Sequence, residues 1–235
     1  MPLIERARAP ALTLVLAVAA SAADAGQPLV TDDAAVVAPK TCQLEGGVRA
    51  ARDDRLWFAQ PACNFGGELE WSAGGAHFAP DDGDPSTIVQ LQLKSVLWRR
   101  SDGTASLGAS LGALRDTGAA HGRSAFQAYY AKGLASWYPQ DGLEFDLNLG
   151  AANTYGSGTY AFAGIAATAT VVTSVQLLGE VFHDEPGPWK FQFGVRSVVV
   201  ANRIELYASY GNRFNGSTGG FVVAGFRLQS PAFLP

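Results

Sequence analysis

Alternating apolar and polar residues are the main pattern of this chain. In residues 143–150 (Leu-Glu-Phe-Asp-Leu-Asn-Leu-Gly), large apolar side chains take one set of alternate positions, and two carboxylates, an amide and a glycine take the other. This two-residue period separates the sets onto opposite faces of an extended strand, whereas a helix would scatter both around its circumference. The period recurs at 89–94, 189–196 and 204–210. The pattern therefore predicts β-strands.

Turn-forming residues divide the chain into twelve candidate strands. These are residues 41–50, 56–64, 67–72, 87–99, 105–114, 124–137, 143–151, 159–171, 175–182, 189–199, 204–211 and 220–229. From the third strand on, the connections after odd-numbered strands are longer and more polar than those after even-numbered strands. An even strand number with long loops on one side and short turns on the other is typical of bacterial outer-membrane barrels. We therefore predict an all-β fold, an antiparallel up-and-down transmembrane β-barrel of about 12 strands over residues 41–235.

The composition of the two strand faces indicates which face meets lipid. The polar face combines charged residues with small ones, such as Ser106, Gly108, Ser110 and Gly112, and small residues leave room in a lumen. The apolar face carries aromatic residues near predicted strand ends, where interfacial girdles lie; these are Trp57, Trp71, Tyr155, Tyr160, Trp189 and Phe226. A secreted soluble β-protein is the alternative, but it needs a second layer, and we find no amphipathic helix to supply one.

Two of the twelve strands have no clear register. In residues 126–137, neither register keeps Lys132 and all the aromatic residues on separate faces, so we expect a bulge or local break there. Residues 159–171 are mostly Ala, Thr and Gly on both faces, which leaves the orientation of that strand open.

The first 25 residues have the features of a secretory signal peptide. Arg6 and Arg8 precede an apolar run at 11–20, and Ala23-Asp24-Ala25 fits the small-residue rule for cleavage. A run of about ten apolar residues is too short to span a membrane as a helix. We therefore expect cleavage after Ala25, a periplasmic N-terminal segment at 26–40, and a final location in the outer membrane of a Gram-negative bacterium. Within this segment, Thr31-Asp32-Asp33 is interpreted as a periplasmic plug or cap rather than a ligand site.

Composition and charge narrow the range of functions. The chain has 235 residues, of which 48% are hydrophobic and 16% are charged, and this apolar content argues against intrinsic disorder. Its net charge of -4 provides no excess of cations to neutralise phosphates, which disfavours a nucleic-acid partner.

The two cysteines fit opposite positions of the first predicted hairpin. A turn centred on Arg52 and Asp53 places Cys42 opposite Cys63. Directly opposite residues are close enough for a disulfide, and an exported chain meets an oxidising periplasm. The sequence thus favours a disulfide, with two unpaired thiols as the alternative.

The start of the predicted mature chain resembles a known family. Residues 26–34 (Gly-Gln-Pro-Leu-Val-Thr-Asp-Asp-Ala), followed by Cys42-Gln43-Leu44-Glu45, are similar to the opening of the MetA-pathway of phenol degradation-type outer-membrane proteins. The resemblance covers about 20 residues and implies a transporter-like barrel that passes aromatic or other small hydrophobic molecules. Outer-membrane lipid and the barrel-assembly machinery are the other expected partners, with Phe226 or Phe233 as the aromatic residue read near the C-terminus.

Motifs for enzymatic or metal chemistry are weak in this sequence. Some outer-membrane barrels are phospholipases, but His77, His121 and His183 lie in or beside predicted loops without a nucleophile motif, so we expect no enzyme activity. The acidic stretches at 81–84 and 183–185 offer oxygen ligands for Ca²⁺, yet neither has the spacing of a calcium loop, and solvated loops are the preferred interpretation. We expect no cofactor and no metal.

The remaining candidate site is the lumen. In the predicted register, twelve charged residues face inward: Glu45, Arg49, Glu68, Glu70, Lys94, Glu144, Asp146, Glu180, Lys190, Arg196, Glu205 and Arg227. Both signs are present, so these residues predict either a cross-linked network that plugs the barrel or the lining of a narrow polar pathway. Inward Phe182, Tyr207 and Leu178 are candidates for an apolar pocket.

The sequence thus leaves two functions open. The first is a channel or transporter for small hydrophobic or aromatic solutes. The second is a sealed structural or surface-interaction barrel without transport activity.

Overall fold

The computed structural model describes residues 29–117, 126–154, 158–214 and 219–234. These residues form twelve antiparallel strands, which confirms the predicted architecture. The strands are β1 (Thr41–Ala51), β2 (Asp54–Asn64), β3 (Leu69–Pro80), β4 (Ser86–Arg99), β5 (Ala105–Asp116), β6 (Ala128–Gln140), β7 (Leu143–Thr154), β8 (Gly158–Val172), β9 (Val175–His183), β10 (Lys190–Val200), β11 (Ile204–Arg213) and β12 (Phe221–Gln229).

Each strand pairs with its sequence neighbours, and the pairing of β1 with β12 closes the barrel. The connections that follow even-numbered strands lie at the same end of the barrel as Thr41 and Gln229, and we call this the terminal end. The opposite end, which carries the connections after odd-numbered strands, is called the loop end. Within the described residues, no helix is long and apolar enough to span a membrane.

The outer surface of the barrel is apolar, as expected for strands that face lipid. Leu111, Leu149, Phe193 and Val222 are each more than half exposed, while their chain neighbours Ser110, Asn148 and Gln192 are almost completely buried on the inner side. A water-soluble β-protein would place its apolar face inward and its polar face outward. This inverted arrangement is that of a transmembrane barrel.

The aromatic residues predicted for the outer girdles divide into three groups. Trp57, Trp71 and Trp189 are about half exposed on the outside, and Phe226 also faces outward, where its ring lies beside Gly46. Tyr160 is a correction, because it shares the inner face of β8 with buried Gly164 and Ala166. Tyr155 lies outside the described residues.

Two predicted strands differ from those observed, and the structure gives the orientation of a third, β8, which the sequence left open. β3 continues to Pro80, eight residues past its predicted end, because its run of small residues pairs with both β2 and β4 although it lacks an apolar–polar alternation. β6 pairs continuously from Ala128 to Trp137, so the break expected there is absent, and the register shifts only between Trp137 and Gln140. β8 places Gly164, Ala166 and Thr168 inward.

The break in β6 was expected because an aromatic residue and Lys132 share one face, and the structure shows how the lumen accommodates both. Tyr130 and Lys132 both face inward, and the Tyr130 hydroxyl bonds to the Gln90 and Gln92 side chains. An inward aromatic residue is therefore tolerated when its polar group has a partner.

Glycines on the inner face make room for aromatic rings of the adjacent strand. Gly112 lies opposite Tyr130, and Gly150 lies opposite Phe162. In both pairs, a Cβ added to the glycine would overlap the ring. The inner glycines were predicted to leave open space, but at these positions the space is filled by rings.

The predicted disulfide is present. Cys42 and Cys63 are directly opposite on β1 and β2, with Cα atoms 4.1 Å apart and an S–S bond of 2.02 Å. The bridge lies on the outer side of the barrel at the terminal end. The chain after β12 also bonds here, since the amides of Phe233 and Leu234 donate to the Lys40 carbonyl. This end of the first hairpin is therefore tied to both chain termini of the barrel.

Candidate functional site

Residues 29–37 run inside the barrel, and we call them the lumen segment. Thr31, Asp33 and Val37 are each only 2% exposed, and Ala34 is completely buried. The sequence predicted a periplasmic segment at 26–40 with a plug or cap at Thr31-Asp32-Asp33, and the structure places residues 29–37 inside the barrel rather than outside it. This position agrees with the predicted network that plugs the barrel, although the plug is made by backbone as well as by strand side chains.

The lumen segment enters from the terminal end and reaches the middle of the barrel. Lys40 pairs with Asn64 at that end, and the Asn64 side chain donates to the Val37 carbonyl at 2.7 Å. At the other extreme, the Val30 and Thr31 amides bond to Glu180, the sixth residue of β9 from the terminal end. Five strand residues at the usual rise and tilt correspond to a depth of about 13 Å.

The barrel wall satisfies the backbone of the lumen segment with side chains. The Val30 amide lies 2.9 Å and 3.1 Å from the two Glu180 oxygens, and the Thr31 amide lies 2.8 Å from Oε2. Asn148 accepts from the Asp32 amide at 2.8 Å and donates to the Asp32 carbonyl at 2.6 Å. An irregular backbone away from bulk water needs such partners, so these bonds define where the segment lies.

Two further wall residues bind the part of the segment nearer the terminal end. Ser136 Oγ accepts from the Ala34 amide, and Glu70 Oε2 accepts from the Val37 amide, each at 2.8 Å. Bonds therefore come from β3, β6, β7 and β9, which lie on different sides of the barrel. The segment is consequently held across the lumen rather than against one strand.

Buried ion pairs fix the acidic centre of the segment. Lys94 Nζ lies 2.8 Å from Asp32 Oδ1 and 2.6 Å from Asp33 Oδ1, and Lys132 Nζ lies 3.0 Å from Asp32 Oδ2. Burial raises the pKa of Asp32, but the two ammonium groups outweigh burial and lower this pKa to about 2. Asp32 is therefore a carboxylate at neutral pH and retains both ion pairs.

Small wall residues let the segment approach closely. Gly108 faces Ala34, and a Cβ on Gly108 would lie 3.4 Å from the Ala34 carbonyl oxygen. A Cβ on Gly164 would overlap Thr31 Oγ1. Leu29 packs with Ala166 and Leu178 in a buried apolar cluster. Part of the inner small-residue pattern therefore provides the surface on which the segment lies.

The predicted lumen residues are mostly placed inside the barrel. Ten of them are buried or nearly buried, and Arg49 is one-third exposed at the loop end; the ten are Glu45, Glu70, Lys94, Glu144, Asp146, Glu180, Lys190, Arg196, Glu205 and Arg227. Glu68 is a correction. It lies in the turn before β3, is more than half exposed, and has Arg99 as a partner at 3.5 Å, because the ladder of β3 starts only at Leu69.

The strands at the barrel closure carry a separate charge network. Arg227 lies directly opposite Glu45 on β1 and Glu205 on β11. Its Nη2 atom is 2.8 Å from Glu205 Oε2, and Arg196 Nε is 3.7 Å from the same oxygen. These pairs cross-link β10, β11 and β12 and leave the lumen on this side occupied by side chains.

Two cavities remain beside the lumen segment. The inner cavity, about 260 Å³, extends toward the terminal end along Gln43, Glu45 and Glu70. The outer cavity, about 230 Å³, extends toward the loop end along Arg49, Leu56 and Lys190. Both cavities are lined by Val30, Gln60 and Gln90, so they meet beside the tip of the segment. The two cavities thus adjoin beside residues of β2 and β4, and the outer cavity also reaches β9, β10 and β12.

The predicted apolar residues take different positions. Phe182 lines the outer cavity, whereas Leu178 packs against Leu29. Tyr207 belongs to a buried cluster with Phe182, Phe221 and Val223. Only one of the three predicted residues therefore faces a cavity directly, and Phe58 and Phe221 complete its aromatic wall.

The wall residues that bind the lumen segment but were not predicted from the sequence are either uncharged or lie on β6, whose register was open. Asn148 has the inward parity of β7, which was predicted correctly, but an amide gives no signal for binding a backbone, and Ser136 lies on β6, whose register was open. Lys132 was not assigned because the register of β6 was open. An excess of inward polar residues on β6 and β7 was the available signal for a buried backbone segment.

The loop residues considered for catalysis or metal binding have other partners. Asp184 and Glu185 bond to Lys190 at 2.9 Å and 2.6 Å, and His77 contacts the Thr87 hydroxyl at 2.9 Å. His121 lies outside the described residues. Within the described ranges, no group of three or more His, Cys, Asp or Glu side chains is arranged to hold a metal ion.

Comparisons with solved structures agree with the observed fold. The KdgM porin superimposes with a TM-score of 0.61 at 10% identity, covering 79% of this chain and 98% of the porin. The NanC porin gives a TM-score of 0.59 at 10% identity, covering 81% of this chain and 100% of the porin. KdgM has also been solved in complex with disordered oligogalacturonate, again at 10% identity and a TM-score of 0.59, with 80% and 98% coverage. At this identity the similarity supports a shared barrel fold alone.

Comparisons of the sequence place the chain in a family. No curated protein matches it. A family model described as "Uncharacterised conserved protein UCP029691" matches residues 11–229, and this family differs from the MetA-pathway type that the N-terminal motif resembles. Since that match spans most of the signal-like region, the lumen segment and all twelve strands, the chain belongs to the UCP029691 family.

Proposed function

We propose that this protein is an outer-membrane channel that passes small solutes through a lumen narrowed by its own N-terminal segment. The observation that carries the proposal is the meeting of two cavities beside the tip of the lumen segment, at Val30, Gln60 and Gln90. The apolar outer surface supports a location in the outer membrane, and export through a cleaved signal peptide at residues 1–25 fits that location. The porin fold of KdgM and NanC is consistent with it.

The width of the route supports small solutes. A twelve-stranded barrel lies between filled eight-stranded barrels and open porins of sixteen or more strands. The lumen segment occupies much of that intermediate cross-section, because it is held by Ser136, Asn148 and Glu180 on one side and by Glu70 and Lys94 on the other. The free space beside it is lined by Gln60, Gln90 and Gln92, which provide uncharged polar contacts.

The apolar part of the outer cavity supports a hydrophobic or aromatic solute class. Phe58, Phe182 and Phe221 line it together with Leu56 and Ile88. This agrees with what the N-terminal resemblance implies. A solute that enters from the loop end would first contact this wall and then the polar inner cavity.

Conductance in planar bilayers tests the proposed channel. We expect wild-type protein to give small current steps, and deletion of residues 29–37 to give larger ones because the narrowing is removed. The matched variant replaces residues 29–37 by a Gly-Ser sequence of equal length, which keeps the connection but removes the side chains. Gel mobility of unboiled and boiled samples confirms that each variant forms a barrel.

A silent wild type combined with a conducting deletion variant would favour the second candidate, a sealed barrel. The specific observation behind that candidate is the density of bonds between the lumen segment and side chains of six strands, β2, β3, β4, β6, β7 and β9. In that case, the loop end would be the surface available to a partner.

A further inference from the structure

The outer cavity combines an aromatic wall with a guanidinium group. Phe58, Phe182 and Phe221 form the wall, and Phe182 and Phe221 belong to a buried apolar cluster that fixes their position. Arg49 lines the same cavity, with its guanidinium carbon 5.7 Å from the centre of the Phe221 ring. A cavity of this kind, with an apolar body and few convergent polar groups, is typical of small-molecule sites.

The Arg49 guanidinium has donor capacity left for a ligand. Its Nη2 atom lies 3.0 Å from Asp54 Oδ1, but its buried Nε atom has no hydrogen-bond partner among the described residues. A buried N–H group without an acceptor costs free energy, so an acceptor supplied by a ligand would be favoured at this position. A planar guanidinium binds anionic oxygen acceptors such as carboxylates through charge-assisted hydrogen bonds, which are stronger than bonds to neutral acceptors.

The other charged groups of the outer cavity are already paired. Lys190 Nζ lies between Asp184 and Glu185, at 2.9 Å and 2.6 Å, and Glu185 also faces Arg213 at 3.6 Å. Asp184 and Glu185 are therefore engaged by cations. The unsatisfied donor of Arg49 is then the group that distinguishes a carboxylate from a neutral or cationic solute.

The size of the cavity limits the ligand to about one ring. An apolar protein cavity of about 150 Å³ binds benzene. The outer cavity has about 230 Å³, which is below the usual range for drug-sized ligands, of about 300 Å³ or more. This space suits one aromatic ring with one polar substituent.

We propose that the outer cavity is a binding site for a small aromatic carboxylate, with the ring against Phe58, Phe182 and Phe221 and the carboxylate accepting from Arg49. This inference rests on the proposed channel function, for which it defines the solute class. The carboxylate would take the Nε donor of Arg49, and the ring would displace water from the apolar wall.

Binding of 4-fluorobenzoate, followed by ¹⁹F NMR on the full barrel in detergent, tests the site. We expect line broadening that unlabelled benzoate reverses, whereas acetate and benzyl alcohol at the same concentration do not, because each lacks one of the two groups recognised. Empty micelles measure partitioning of the probe. The Arg49→Gln variant should weaken binding about tenfold or more, as expected for loss of a charge-assisted hydrogen bond.

Arg55→Gln is the matched control, because Arg55 lies on the outer side of the same end and pairs with Asp81 at 3.3 Å. It should bind 4-fluorobenzoate like the wild type. Absence of binding to the wild type, displacement by benzyl alcohol, or equal weakening by both substitutions would overturn the site.

Swelling of proteoliposomes with arabinose separates this outcome from failure of the channel itself. A barrel that passes arabinose but does not bind 4-fluorobenzoate retains the proposed function and loses the site. A barrel that excludes arabinose and other small solutes loses the proposed function whatever it binds.

Discussion

Replacement of Lys94 by methionine should release the lumen segment from the barrel wall. Lys94 is 6% exposed at its side chain and contacts both Asp32 and Asp33, of which Asp33 is 2% exposed. Methionine keeps most of the volume but removes the charge. Breaking a buried ion pair by removing one partner costs about 3–5 kcal/mol. Because Lys132 still pairs with Asp32, we take the lower value, which shifts the docking equilibrium about 150-fold.

Hydrogen exchange of the segment amides measures this shift. In the wild type, the amides of Val30, Thr31 and Asp32 donate to Glu180 and Asn148, and those of Ala34 and Val37 donate to Ser136 and Glu70. In Lys94→Met, we expect these amides to exchange faster by about two orders of magnitude. The strand amides should keep their protection, because the ladders of β3 to β5 do not depend on this ion pair.

The control is Arg99→Met on the same strand. Arg99 pairs with Glu68 at 3.5 Å, and both side chains are more than half exposed, so this pair contributes about 0–1 kcal/mol. The double variant Lys94→Met/Asp33→Asn removes the uncompensated charge and should recover much of the protection. Unchanged exchange of the segment in Lys94→Met, or equal acceleration in Arg99→Met, would refute the argument that buried ion pairs hold the segment.

Three other perturbations test separate parts of the structure. Gly164→Val should also accelerate exchange of the segment, because its Cβ would overlap Thr31 Oγ1, whereas Gly179→Ala, which has no atom closer than 4.0 Å, should not. Asp32→Asn tests the pH dependence: the folded pKa of about 2 lies below the unfolded value near 3.8, so the carboxylate stabilises docking above pH 3.8 and this contribution is lost as the pH falls toward 2. The protection factors of the segment amides at pH 6, 4 and 2.5, which correct for slower intrinsic exchange in acid, should therefore fall with acid in the wild type, and the contribution of Asp32 should be missing from the variant at every pH. The pair Cys42→Ser/Cys63→Ser opens a loop with a sequence separation of 21, which should lower the stability to urea by about 3 kcal/mol, and reductant should destabilise the wild type but leave the variant unchanged.

Alternation along the strands was sufficient to predict the barrel because the two environments differ so strongly. Lipid excludes charge from one face of every strand, so Leu143–Thr154 reads clearly as a strand. Alternation does not identify a strand where the contrast between its two faces is weak. The second half of β3 contains mainly small residues, which fit either environment, and its pairing with β2 and β4 is visible only in the sheet. In β6, the inner face holds both Tyr130 and Lys132, so aromatic and charged residues do not separate onto opposite faces, and the alternation does not define the register.

The orientation of a strand residue, into the lumen or toward lipid, was easier to predict than the residues to which its side chain bonds. Glu180 and Lys94 were recognised as inward from their parity, but their function depends on a backbone that crosses the lumen from a distant part of the chain. Glu180 bonds to an amide 150 residues away, and Lys94 to a carboxylate 61 residues away. Strand periodicity contains no information about such pairs, because it describes each strand relative to its immediate neighbours only.

The acidic motif at 31–33 illustrates why the lumen segment was difficult to predict. Two adjacent aspartates in a non-repetitive stretch normally indicate a solvated segment, because isolated buried carboxylates are costly. The cost is offset here by Lys94 and Lys132, although Lys94 also lies directly opposite Glu70 on β3. The aspartates of the segment therefore depend on the inward lysines of β4 and β6. An excess of inward charge on neighbouring strands is evidence for a complementary segment inside the barrel, and the bonds from Ser136 and Asn148 to that segment show where its backbone must run.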